Sequence, residues 1–235
     1  MSLYDRNYDN QTLHSEEFSG VRRDETALRS FVKQTYQLFA ASMLAGTVGA
    51  YVGMGMASTI ASFYWGLVIL EIALIIGLNF AKNKPALSLG MLFAFTFITG
   101  LTITPLLSAV LNMPGGAGIV TNAFLMTSAA FAGLTLFAMS TKRDFSTMGK
   151  MLFIALIVVI VGGIVNIFVG SPLLQLAIAG VSAVLFSFFI LYDTQNIIRG
   201  NYDSPILAAS ALYLDFLNLF ISLLQILGIF GSSDD

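Results

Sequence analysis

Met151-Leu-Phe-Ile-Ala-Leu-Ile-Val-Val-Ile-Val-Gly-Gly-Ile-Val-Asn-Ile-Phe-Val169 is a run of nineteen residues without one charge. About 20 such residues in a helix cross the hydrocarbon core of a bilayer. Six more runs of the same character lie around it, at 34–54, 59–81, 86–111, 117–140, 172–198 and 205–230. Together they leave no room for a second globular domain in a chain of 235 residues. The composition agrees: 57% of residues are apolar and 10% charged, against roughly a quarter charged in an ordinary soluble domain. Strands cannot use these runs, because lipid offers no partner to an open sheet edge and barrel strands alternate over about ten residues. The expected fold is an all-α integral membrane protein, a bundle of seven transmembrane helices.

Three segments follow. Residues 1–33 form a polar tail with eleven charges and the only histidine, His14, and without the apolar stretch or cleavage site of a signal peptide. Residues 34–230 are the seven-helix domain, and 231–235 a short C-terminal tail. Of the eleven Lys and Arg, five lie in the N-terminal tail. Lys82 and Lys84 follow the second span, Lys142, Arg143 and Lys150 lie between the fourth and fifth, and Arg199 follows the sixth. The intervening loops and the C-terminal tail hold none, so the positive-inside rule puts the N-terminus in the cytoplasm and the C-terminus outside. The expected location is a membrane that the chain crosses seven times. With no cysteine, thiolate metal sites, disulfides and cysteine nucleophiles are excluded. No cofactor and no nucleic-acid partner is expected.

Within the spans, Ala45, Gly49 and Gly53 recur every four residues, the small-residue spacing that lets helices approach closely. Pro105 should bend the third span, because its ring removes a backbone hydrogen bond. Gly115, Gly116 and Gly118 read as a turn, since no Lys-Ser/Thr follows them to make a phosphate cradle.

Three carboxyl groups interrupt the apolar runs: Glu71 in the second span, Asp193 in the sixth and Asp215 in the seventh. Each costs on the order of 3 kcal/mol on insertion scales, so each is a candidate functional residue by default. At about 1.5 Å per residue, Asp193 lies roughly 9 Å and Asp215 roughly 15 Å from the cytoplasmic ends of adjoining antiparallel helices, so the two can meet. Asp215, Asn218, Ser222 and Gln225 share one helix face, either the polar lining of a water path or a dry hydrogen-bonded seam. Lys82, at the cytoplasmic end, can snorkel outward or reach inward to Asp193. Glu71 either lines the path or is simply protonated and hydrogen-bonded.

The stretch from Ala211 to Gly228 containing Leu214-Asp-Phe216, preceded by Leu191-Tyr-Asp-Thr-Gln195, resembles the paired signatures of the Bax inhibitor-1 (transmembrane BAX inhibitor motif) family. Gly100-Leu-Thr-Ile-Thr-Pro-Leu-Leu107 and the loop Thr141-Lys-Arg-Asp144 resemble its bacterial members, and the likeness spans about residues 28–230. The resemblance implies a bundle whose last helix is central, and a pH-sensitive calcium leak gated by Asp193 and Asp215 with a basic partner on the second helix. No Arg lies in that helix; only Lys82 or Lys84 could stand in, and without the bidentate fork of Arg the latch is expected to be weaker or absent.

The expectation is a cation leak rather than an enzyme, with the bilayer and calcium or other cations as partners. Asp193 and Asp215 would hold Ca²⁺ transiently and sense pH with Lys82, and Glu71, Asn218, Ser222 and Gln225 would line the path. Two carboxylates close together in a low-dielectric site cannot both ionise cheaply, so they are expected to share a proton and titrate as a pair. The alternative is a regulator that binds a membrane-anchored quality-control protease through the N-terminal tail, a role that loss of residues 2–25 would abolish. Least favoured is an intramembrane aspartyl protease, because Leu-Asp-Phe stands where such enzymes carry Gly-x-Gly-Asp.

Overall fold

The computed structural model describes residues 3–231, with side chains at 25–229 and 231. Helices follow one another in the order α1 (Leu3–Met54), α2 (Ala57–Phe80), α3 (Pro85–Thr102), α4 (Thr104–Leu111), α5 (Gly116–Ser140), α6 (Gly149–Val169), α7 (Pro172–Ile198) and α8 (Pro205–Gly231). Seven stretches are long and apolar enough to cross a membrane, with α3 and α4 forming one of them, from Pro85 to Leu111. Among the described residues there is no strand. α1 continues as one helix through the polar segment, and its part long and apolar enough to cross a membrane lies within Glu25–Met54. His14 and residues 232–235 lie outside what is described in full.

Helix boundaries follow from local chemistry. Pro85 and Pro172 occupy first-turn positions, where a missing N–H costs nothing. The Ser171 hydroxyl accepts from the Leu174 N–H to cap α7. The third span breaks at Ile103, two residues before Pro105, and the Thr104 hydroxyl donates to the Gly100 carbonyl at 3.2 Å. The interruption falls where Pro105 is expected to disturb the span, with a threonine hydroxyl on a carbonyl of the broken turn.

The bundle is most apolar at its edge. α6 has the highest mean hydropathy, 3.0, yet only 11% of its most apolar stretch is buried, and for α2 the figure is 6%. Phe63, Trp65, Ile69, Ile154, Val158 and Phe168 point outward, more than half exposed. Such a belt is stable only against lipid tails. α8 reverses the pattern, with 56% of the corresponding stretch buried, the largest share of any span, so the last helix is central. Since lipid competes for apolar surface, close packing and interhelical hydrogen bonds hold the bundle together. α1 meets α3 through the small residues: a Cβ on Gly49 would collide with the Phe97 carbonyl, and one on Gly100 with the Gly46 carbonyl. Around α8, the Phe39 ring stacks on Phe131 at 4.9 Å, and Phe216 sits edge-on to both, at 6.1 and 5.6 Å. Phe216 of this aromatic knot follows Asp215 in the chain.

Candidate functional site

The last turn of α7 is buried on every side, from Asp193 through Ile197, although four of those five residues are polar. A polar helical turn can be enclosed only if each side chain finds a partner or a special role. Gln195 supplies the clearest case. Its amide donates to the Arg143 and Ala138 carbonyls at 2.8 and 3.3 Å and its oxygen accepts from the Phe145 N–H at 2.6 Å, which ties the α5–α6 loop to α7. Arg199 strengthens that tie through Asp144 at 2.7 Å and Ser146 at 2.6 Å. The Ser146 hydroxyl and the Arg199 guanidinium hold the Asp144 carboxyl below its ordinary value. Asn196 takes the next loop: its oxygen accepts from the Asn201 amide at 2.9 Å, and its carbonyl accepts from the Asn201 N–H. Thr194 turns toward Tyr36 of α1, which also faces Thr135 of α5, yet none of the three hydroxyls has a well-formed hydrogen bond.

Asp193 projects from the same turn toward α8. The structure brings its carboxyl into hydrogen-bonding reach of Asp215, with the two residues 5% and 4% exposed. The Tyr202 hydroxyl, from the α7–α8 loop, donates to Asp193 Oδ1 at 2.6 Å. Burial and the neighbouring Asp193 push the Tyr202 phenol far above its ordinary value, so it stays a donor at any physiological pH. Asp215 Oδ2 receives no hydrogen bond from any donor group. Among the described residues no Lys or Arg pairs with either carboxyl.

Lys82 therefore does not take the inward route to Asp193. Its ammonium pairs with Asp203 at 2.6 Å, both side chains being about half exposed. The reason is desolvation: Lys82 lies beyond the end of α2, and pairing there keeps contact with water, whereas reaching the buried carboxyls would strip the ammonium of it. Glu71 belongs to a different cluster. It accepts from Thr102 Oγ1, and nearby the Tyr213 hydroxyl shares a 2.6 Å hydrogen bond with Thr99 and donates to the Thr96 carbonyl at 3.1 Å. This network joins α2, α3 and α8.

The polar face of α8 divides. Asn218 and Ser222 each donate to a backbone carbonyl one turn back, at 2.7 Å, so neither needs a partner from another helix. Gln225 ends an amide chain in which Asn166 donates to Gln175 at 2.8 Å and Gln175 donates to Gln225 at 2.9 Å. That chain ties α6, α7 and α8 together at the end opposite the carboxyl pair. A cavity of about 270 Å³ adjoins it, walled by Leu106, Val110, Met113, Gln175, Leu224 and Gln225.

Several of these residues escaped the sequence reading. Tyr202 and Asp203 carry no spacing signal in the sequence, and only the return of Asn201 onto Asn196 places them at the site. Asn166 was visible as the lone amide in the fifth span, but its partner Gln175 lies across a turn, where spacing carries no signal.

Chemically, two carboxyls and a phenol make a small set of oxygen ligands suited to a hard cation or a proton. Among the described residues no group of three or more His, Cys, Asp or Glu gathers to hold a metal. Residues 28–232 match the family model described as inhibitor of apoptosis-promoting Bax1. An uncharacterized protein of Campylobacter jejuni is 54% identical over 99% of this chain and all of its own length. An uncharacterized membrane protein of Vibrio cholerae is 38% identical over 86% of this chain and 91% of its own. The Golgi anti-apoptotic protein of vaccinia virus is 37% identical over 67% of this chain and 65% of its own.

Proposed function

The chain belongs to the Bax inhibitor-1 family, a multi-pass membrane protein with bacterial relatives, and from that premise we propose that it is a pH-sensitive cation leak, with calcium as the permeant ion and Asp193 and Asp215 as the gate. The observation that carries this reading is the carboxyl pair itself, buried near the end of the bundle where the α7–α8 loop lies, with one oxygen atom lacking a donor. A structural carboxylate would be surrounded by donors. This one is left with a vacancy that a shared proton or a passing cation satisfies. Ca²⁺ takes six to eight oxygen ligands when held firmly, and a site with two carboxyls and a phenol binds it weakly enough to release it, as conduction requires.

The pH response follows from the hydrogen bond to Tyr202. A hydrogen bond to an ionised carboxylate is roughly twice as strong as one to a neutral group. At neutral pH a charged pair holds the Tyr202 hydroxyl and keeps the cytoplasmic end closed. Acidification neutralises the pair, loosens that hold and raises the open fraction. Full protonation then removes the cation site, so flux peaks at mildly acidic pH. Asn218, Ser222 and Gln225 line the outward route when it opens, and Glu71 borders it on the α2 side. The protein lies in the bacterial inner membrane with its N-terminus in the cytoplasm. Calcium influx into liposomes containing the pure protein, followed as external pH is lowered, tests the reading directly.

A further inference from the structure

The loop between α7 and α8 is built to bring three consecutive side chains to three different places. α7 ends at Ile198, Gly200 with a φ of 69° turns the chain sharply, and Asn201 folds back onto Asn196 through both its backbone and its amide. That return lays Tyr202 against the side of α7, one turn from its end, with the hydroxyl on Asp193. Asp203 then faces outward to Lys82 of the α2–α3 loop. Ser204 accepts from the Leu207 N–H and starts α8. Tyr202 is thus held at both of its ends, by the dyad at its hydroxyl and by the Lys82–Asp203 pair at its backbone. Beside it lies a cavity of about 350 Å³, walled by Ile75, Asn79, Leu207 and Leu214 together with the loop, with room for the phenol ring to swing aside.

We propose that Tyr202 is the cytoplasmic gate over the Asp193–Asp215 pair and that the Lys82–Asp203 ion pair is the pin holding that gate shut. The basic residue near α2 then acts from the surface, through the loop, instead of entering the membrane to touch a carboxylate. A half-exposed ion pair shifts an equilibrium by about two- to fivefold, a modest bias on a gate that must open. The proposal rests on the cation-leak reading, and its test includes a readout that does not depend on transport.

That readout is infrared spectroscopy of the full-length protein in lipid nanodiscs, following the rate at which the protonated carboxyl band of the dyad shifts on transfer to D₂O. Calcium influx into liposomes at pH 7 is measured on the same proteins. Tyr202→Phe keeps the ring but loses the hydroxyl, while Lys82→Met and Asp203→Asn each break the pin. All three should speed carboxyl exchange and raise calcium influx, by about two- to fivefold for the pin variants. The charge swap Lys82→Asp with Asp203→Lys should return both rates to within about twofold of wild type, since the geometry of the pair is retained. Carboxyl exchange unchanged in all three variants overturns the gate. Faster exchange in the pin variants that the swap fails to reverse overturns the pin. A protein that conducts no calcium in any form, yet shows the exchange pattern with rescue, keeps the gate and refutes the leak.

Discussion

Asp215→Asn is the substitution that isolates the shared proton. The new amide has the shape of the carboxyl and fits the same enclosed site, in which the residue is 4% exposed. It differs in one respect: its NH₂ group gives Asp193 a permanent donor where the native pair must recruit a proton. A gate linked to one proton changes its open-to-closed ratio by at most tenfold per pH unit, about 1.4 kcal/mol. Between pH 7 and pH 6, calcium influx through the native protein should therefore rise by up to about tenfold. In Asp215→Asn the single remaining carboxylate at Asp193 keeps two donors, the amide and the Tyr202 hydroxyl, and influx should change by less than about twofold over the same interval. Asp193→Asn should flatten the profile as well, because either carboxyl is half of the pair. The assay is dye-reported calcium influx into liposomes at fixed protein density, with thermal unfolding of each variant as a control on folding. A variant of either residue that keeps the native pH profile refutes the shared proton as the origin of the response.

Glu71→Gln should leave the midpoint of the pH response within about half a unit of the native value, since Glu71 bonds to Thr102 in a cluster separate from the dyad and Gln keeps an oxygen to accept that bond. A larger shift would put Glu71 in the gate. Because the chain has no cysteine, single substitutions report access cleanly: Asn218→Cys and Ser222→Cys should react with aqueous thiol reagents at acidic pH, while Leu217→Cys and Leu224→Cys stay protected. Equal protection at all four would make the α8 face a dry seam. A C-terminal alkaline phosphatase fusion should be active in a bacterial host, since the basic residues of the loops gather at the opposite end of the bundle; activity of a cytoplasmic reporter there would reverse the topology.

The bundle was legible in the sequence because lipid imposes a demand on length and charge that each span answers by itself, as the run from Met151 to Val169 does without reference to any other residue. The meeting of Asp193 and Asp215 was legible for a similar reason, since counting residues from Arg199 and Pro205 gives depth in a helix. What could not be counted was direction. Lys82 stands at the right depth to approach the carboxyls, but its partner is settled by where the α7–α8 loop delivers Asp203, and that depends on the reversal at Gly200 and Asn201. Periodicity placed Gln225 on one face with Asn218 and Ser222, yet it does not distinguish a side chain bonded to its own backbone from one bonded across helices. Asn218 and Ser222 do the first and Gln225 the second.

The most direct measurement is calcium influx into liposomes containing the pure native protein, across pH 5.5 to 8, set against protein-free liposomes and against Asp193→Asn with Asp215→Asn in one chain. Influx should exceed the protein-free rate, rise as pH falls from 8, reach a maximum in the mildly acidic range and decline below it, with the double variant flat throughout. Influx equal to that of empty liposomes at every pH, or a double variant that traces the native curve, would contradict a cation leak gated by the pair.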